Sequence, residues 1–230
     1  MTRLTGDEAH NPRLKPIRPR LAASLILTRG SGDGLEVLMG RRSSRHVFMP
    51  NKYVFPGGRV DRADATAPLA ADLDARPLSL MRQCLPERRA RAAAVAAVRE
   101  TAEETGLLIA RPGQHHTRHP HWRPFLRDGY LPDLSGLRVI TRAITPPGRK
   151  RRFDTWFFTA DATVLADDRP AKPSDELEDV HWVSFRDAKS LDLPFITHFV
   201  LDELLRVQPP APQPVRCFRE KHGKMLVEEI

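Results

Sequence analysis

The stretch Arg99-Glu100-Thr101-Ala102-Glu103-Glu104-Thr105-Gly106-Leu107 constrains this chain more than any other. It ends a helical pattern that begins near Pro86, a residue suited to a first turn, and stops at Gly106, suited to a C-terminal cap. At about 100° of rotation per residue, Glu100, Glu103 and Glu104 share an arc of roughly 100°, while Val95, Val98 and Ala102 gather on the opposite side. The pattern predicts a helix with an apolar back and a front of three carboxylates. Such a front is costly, because like charges at these spacings repel and carboxylates near a helix C-terminus oppose its dipole. A hard divalent cation removes both costs: Mg2+ or Mn2+ prefers oxygen ligands and completes its shell with water or substrate phosphate. Alone, such a segment is more often a solvated acidic face. Its companions in the sequence decide otherwise.

Upstream, Phe55-Pro56-Gly57-Gly58 is followed after five residues by Asp64. With the helix, these residues resemble the Nudix box, G-x5-E-x7-R-E-U-x-E-E-x-G-U with U apolar. Gly58, Arg99, Glu100, Glu103, Glu104, Gly106 and Leu107 match their positions. Asp64 replaces the first glutamate, Thr101 stands at an apolar position, and 34 residues rather than seven separate Asp64 from Arg99. A loop lengthened in this way is tolerable, since closure entropy grows only logarithmically with length. An interruption here is similar to that of the subgroup related to the mammalian coenzyme A diphosphatase, which carries an insertion inside its box.

That resemblance implies an α/β fold, the Nudix-type α/β/α sandwich with a mixed central sheet, and hydrolysis of a diphosphate linked to another moiety. It implies that Arg99, Glu100, Glu103 and Glu104 form the catalytic set. Glu100, Glu103 and Glu104 stand at the metal-ligand positions for Mg2+ or Mn2+, with the Gly58 carbonyl as a further ligand. Arg99 would hold a glutamate in place or touch phosphate. Which glutamate acts as base varies in the family, and a loop acid can serve. Glu176 and Glu178 are the candidates, although each is more often an ordinary loop charge.

Relatives acting on coenzyme A carry a second signature before the box, L-L-T-x-R-S followed by spaced arginine and glycine. The chain has Leu38-Met39-Gly40-Arg41-Arg42-Ser43, with Val47 where arginine is expected and Asn51 where glycine is. Arg45 is the candidate spatial substitute. Arg41, Arg42, Arg45 and Arg152 are therefore the substrate-binding candidates, with Arg151 and Asp154 beside the last, against the commoner case of solvated strand-edge arginines. The expected substrate is coenzyme A or acyl-coenzyme A, ahead of a nucleotide sugar or ADP-ribose. The competing class is a non-hydrolytic module that binds nucleic acid or protein, and retention of all three helix carboxylates argues against it.

Composition is consistent with a phosphorylated ligand. A formal net charge of +8 and a pI of about 10.1 attract polyanions. Cys84 and Cys217 fit no metal or redox spacing, and no apolar run reaches the ~18 residues of a membrane span. The expectation is a soluble cytoplasmic protein whose partner is a small-molecule diphosphate. Membrane and nucleic acid are not expected, and a homodimer is compatible with the sequence.

Residues 1–16 read as a flexible lead-in, 17–208 as the Nudix domain with an insertion over 65–91, and 209–230 as a C-terminal extension. Strands are expected at Leu21–Thr28, Leu35–Gly40, Tyr53–Phe55, Leu137–Ile144, Arg152–Thr159 and Val180–Val183, with Pro56-Gly57-Gly58 as a turn. Helices are expected at Leu78–Leu85, Pro86–Gly106, Phe185–Lys189 capped by Ser184, and Phe195–Val207. After a stiff break at Pro209–Pro214, Val215–Phe218 and Lys224–Val227 suit a hairpin around His222-Gly223. His115, His116, His119 and His121 lack a second ligand cluster, so a loop capping the substrate pocket is preferred to a zinc site.

Overall fold

The computed structural model describes residues 17–45, 49–117, 119–207, 214–221 and 224–230. The expected lead-in, most of the proline-rich break and the His222-Gly223 turn lie outside them. Strand β1 (Arg20–Arg29) is followed by β2 (Glu36–Arg42), β3 (Tyr53–Val54) and β4 (Gly57–Arg59). Helices α1 (Ala75–Arg82) and α2 (Glu87–Thr105) come next, then β5 (Ala110–Pro112), the short α3 (Arg123–Arg127) and β6 (Tyr130–Pro132). The chain finishes with β7 (Arg138–Ile144), β8 (Phe153–Asp161), β9 (Leu177–Ser184), α4 (Phe185–Ala188), α5 (Phe195–Arg206), β10 (Arg216–Lys221) and β11 (Lys224–Glu229).

Nine strands form one mixed sheet in the order β11-β10-β7-β8-β1-β2-β3, with β4 also on β1 and β9 also on β2. The central pair β1–β8 is parallel, as is β10–β7. Strand alternation sends side chains to opposite faces. Leu25 and Leu27 of β1, with Trp156 and Phe158 of β8, pack beneath α2, whereas Ile26 and Phe157 pack beneath Val200, Leu201 and Leu204 of α5. Helices thus cover both faces of the sheet, the expected α/β/α sandwich. Helix α2 is rich in alanine, and Ala92 through Val98 are all buried. Its small side chains leave room for cover on more than the sheet side: Leu73, Met81 and Leu85 of the insertion and Trp122 and Phe125 beyond it share the same core. The helix therefore has less solvated surface than its amphipathic pattern predicts.

Several elements differ from expectation for identifiable reasons. Helix α1 starts at Ala75, not Leu78, because Pro77 sits in its first turn, where the missing N–H costs nothing. Gly57-Gly58 is strand β4 rather than only a turn; Ala23 pairs with Gly58 and Ser24 with Gly57, so the two glycines stand against the middle of the sheet. Strand β9 begins at Leu177, ahead of Val180, because a register shift opposite Met39–Arg41 and a left-handed Asp179 break its alternation. The hairpin β10–β11 joins the main sheet through β7. No helix among the described residues is long and apolar enough to cross a membrane.

The hairpin is also tied to α5. Glu203 is fully buried, accepts from Arg206 Nε at 2.9 Å and Arg216 Nε at 3.1 Å, and bonds Arg216 again through Nη2. Removing one member of a buried ionic group leaves the others uncompensated, at a cost of about 3–5 kcal/mol. Glu203→Ala is expected to lower unfolding stability by about that amount in urea titration. Hydrogen exchange should accelerate first in β10 and β11.

Candidate functional site

The site begins with an arginine taken out of water. Arg99 is only 3% exposed, yet each of its five N–H donors has an acceptor. Nε donates to Asp64 Oδ1 at 2.8 Å and Nη2 to Asp64 Oδ2 at 3.1 Å, a bidentate pair. Nη2 also donates to the Arg59 carbonyl at 2.9 Å. Nη1 donates to Glu100 Oε1 at 2.8 Å and to Glu103 Oε2 at 2.9 Å. Burial pulls the guanidinium pKa down, but the hydrogen bonds to Asp64 and the charges of Glu100, Asp64 and Glu103 more than offset it. Arg99 stays charged. Asp64 is 2% exposed, and its Oδ2 also accepts from the Asp61 amide at 2.7 Å. The shorter acid thus reaches the arginine although a long insertion separates them in sequence.

Strand β4 supplies the opposite wall. The Gly57 amide donates to Glu104 Oε2 at 2.9 Å, and Ser24 Oγ holds the Pro56 carbonyl at 2.8 Å. A Cβ on Gly57 would lie 2.5 Å from the Ala23 carbonyl oxygen, and one on Gly58 would lie 2.4–2.6 Å from the Glu100 carboxylate. Glycine is required at Gly57, where the β1 backbone fills the space, whereas a side chain at Gly58 would displace the Glu100 carboxylate.

The three glutamates have different surroundings. Burial pushes Glu104 up to about 8; the Gly57 amide and Arg42 act against this, while Glu100 and Glu176 add to it. Burial likewise pushes Glu100 up to about 7, with Arg99 opposing and Glu103 and Glu176 reinforcing. Glu103 is more exposed, and its Oε1 meets His121 Nδ1 at 2.7 Å. His121 packs on His119 with ring centroids 4.9 Å apart and faces Asp61 at 3.9 Å. Of the four histidines weighed in the sequence, His121 thus reaches the acidic helix, through a short 3-10 turn at Pro120–Trp122 anchored by buried Trp122. Its position just before a large aromatic was the available signal.

The substrate candidates are divided among different tasks. Arg42 lies within electrostatic reach of Glu104, Glu176 and Glu100, and burial lowers its pKa against their pull. Arg41 bonds Glu178 across β2–β9 at 3.3 Å, so Glu178 is engaged there, whereas Glu176 acts on Glu100, Glu104 and Arg42. Arg45 lies in an exposed turn. Arg152 donates to main-chain carbonyls, through Nε to Thr145 at 2.9 Å and through Nη1 to Ile17 at 2.6 Å. Asp154 pairs with Arg142 at 2.7 Å.

An oxygen-only donor set with one buried and one half-buried carboxylate, both raised in pKa, and a close backbone approach at Gly58 fits a hard divalent cation in chemistry. Among the described residues, however, no three His, Cys, Asp or Glu side chains close around a single point. Glu103 is turned toward Arg99 and His121.

A family model for the NUDIX domain matches residues 86–202. The chain belongs to the Nudix family. Its Nudix fold is also that of a NUDIX hydrolase from Alicyclobacillus acidocaldarius, 30% identical, with a TM-score of 0.61 over 80% of this chain and 90% of that one. The acyl-coenzyme A diphosphatase NUDT19 of Gallus gallus is 29% identical over 213 residues, covering 64% of this chain and 56% of its own. The chain spans about half the length of the curated Nudix relatives it matches.

Raised carboxylate pKa values carry a sign for stability. In the metal-free Nudix domain, the folded state holds protons on Glu100 and Glu104 that the unfolded chain releases near its ordinary value of 4.5. Their stabilising contribution is present below that value and is lost as pH rises through about 7 and 8. In EDTA, thermal stability is therefore expected to fall between mildly acid and mildly alkaline pH, and Glu104→Gln should flatten that slope. An unchanged slope in Glu104→Gln would show that this carboxyl is not the group being titrated.

Proposed function

We propose that the protein is a metal-dependent hydrolase of a diphosphate linkage in a nucleoside-diphosphate-linked compound, most directly coenzyme A or acyl-coenzyme A. The observation that carries the reading is the trio of helix carboxylates beside β4, with Glu100 and Glu103 held by buried Arg99 and Glu104 by the Gly57 amide. Similarity to an acyl-coenzyme A diphosphatase and the Leu38–Ser43 half-signature support the substrate.

Glu100, Glu103 and Glu104 would hold Mg2+ or Mn2+ with the Gly58 carbonyl. When bound, the cation neutralises diphosphate charge and makes water a better nucleophile. The protein's own groups do the rest. Arg99, immobilised by Asp64, keeps Glu100 and Glu103 aligned without reaching for phosphate itself. Arg42, at the end of β2 and within electrostatic reach of Glu104, Glu176 and Glu100, is suited to bind a phosphoryl oxygen. Glu100 and Glu104 ionise at about 7 and 8, and the ionised Oε of either is suited to accept a proton from the attacking water. Glu176, which acts on both, is the loop acid suited to share that proton.

A magnesium-dependent screen of coenzyme A, acyl-coenzyme A, ADP-ribose and nucleotide sugars, read by release of phosphorylated product, tests the reading. Coenzyme A or its acyl esters should give the highest kcat/KM, and Glu103→Gln or Glu104→Gln should lower kcat by at least about a hundredfold with the fold retained. Preference for ADP-ribose or a nucleotide sugar would keep the chemistry and change the substrate. Near-unmutated turnover in both Gln variants at saturating magnesium would overturn the assignment of the carboxylates.

A further inference from the structure

Beside the carboxylates, but outside them, the start of β1 with the two residues before it, the segment from Arg59 of β4 to Ala65 and the first turns of α2 enclose an open cleft of about 850 Å3. Six arginines line it: Arg18, Arg20, Arg59, Arg62, Arg88 and Arg89. Asp61 is the single acid among its lining residues. All six arginines are exposed, and among the described residues none forms an ion pair with a carboxylate. The contrast with their neighbours is clear. Arg91, on the same helix, holds Asp72 at 2.6 Å, and Arg99 holds Asp64.

This arrangement costs the fold something. Like charges gathered around one cleft repel, and Arg88 and Arg89 also oppose the positive N-terminal end of the α2 dipole. A bound polyanion relieves both effects. The cleft's volume lies in the range of small-molecule sites, and Leu21, Val60 and Ala92 give it an apolar wall beside the guanidinium groups. Guanidinium forks match phosphate oxygens in geometry. The cleft touches the carboxylate site through shared residues: the Arg59 carbonyl accepts from Arg99, and Asp61 faces His121.

We propose that this cleft is a second anion site, which takes a small molecule bearing two or more phosphate groups at a position other than the linkage to be cleaved. The phosphates belong either to a remote part of the substrate or to a separate phosphorylated ligand. The chemistry is the same in both cases.

Calorimetric titration of the full chain with adenosine 3′,5′-bisphosphate in EDTA reads this binding without metal or turnover, so its result does not depend on the hydrolytic reading. The unmutated protein should bind the probe. Arg88→Gln/Arg89→Gln and, separately, Arg18→Gln/Arg20→Gln should each weaken binding by about ten- to hundredfold, with circular dichroism unchanged. Glu104→Gln should bind as the unmutated protein does. Equal affinity in both arginine variants, or no binding of the probe at millimolar concentration, would overturn the site. Tighter binding of a short single-stranded RNA, lost in the same variants, would overturn the small-molecule occupant. The second arm compares kcat/KM for coenzyme A and its 3′-dephospho form. A loss confined to coenzyme A in Arg88→Gln/Arg89→Gln supports the site with the substrate's own phosphate as occupant. Equal values for both substrates, with probe binding still lost, support it with a separate ligand.

Discussion

The bidentate pair between Arg99 and Asp64 is the interaction on which the site depends. Both groups are almost entirely removed from water, which is unfavourable for each alone and tolerable only because every donor of the guanidinium has an acceptor. The pair joins two points 35 residues apart and so closes the base of the insertion. Once closed, the insertion can make its other attachments: Ala70 to Pro132, Leu134 to Ala71, and Asp72 to Arg91. It also adds Leu73, Met81 and Leu85 to the core over α2. A long interruption of the motif is thereby accommodated without disturbing the carboxylates at its far end.

Sheet and helix meet at this point for a steric reason. Strand β4 lies this close to β1 because Gly57 carries no side chain, and the Glu100 carboxylate occupies the space a side chain at Gly58 would take. The alanines of α2 complete the fit by keeping the helix thin where it is covered from several sides. The result is a set of carboxylates held at different degrees of burial. Glu104 and Glu100 are desolvated and titrate high, while Glu103 is shared between an arginine and a histidine.

Much of this could be read in the sequence because it depends on local spacing. The spacing of Glu100, Glu103 and Glu104, the Gly106 cap, the Gly58–Asp64 interval and the apolar run of β1 are all local patterns, and the structure keeps them. What could not be read depends on pairing at a distance. Gly57-Gly58 gives no strand signal of its own, and only β1 reveals it as one. Pro77 looks like a boundary until the turn before it is seen to be helical. The arginines were hardest to assign. Arg41, Arg42 and Arg45 are near neighbours in sequence, but a strand and the turn after it direct one to Glu178, one toward Glu104 and Glu176, and one to solvent. Arg152 has the same side chain yet is occupied by two carbonyls. The arginines of the cleft come from three separate segments, and no linear spacing brings them together.

The central claim is that Asp64 acts through Arg99 to align the carboxylates for a cation it does not itself touch. Titration of Mn2+ into Asp64→Asn, followed by electron paramagnetic resonance under conditions where the variant is folded, tests this most directly. Loss of the charged bidentate partner should weaken Mn2+ binding by about ten- to hundredfold, as expected for groups that orient metal ligands. Mn2+ affinity in Asp64→Asn equal to that of the unmutated protein would contradict the account, because the carboxylates would then be positioned without the pair.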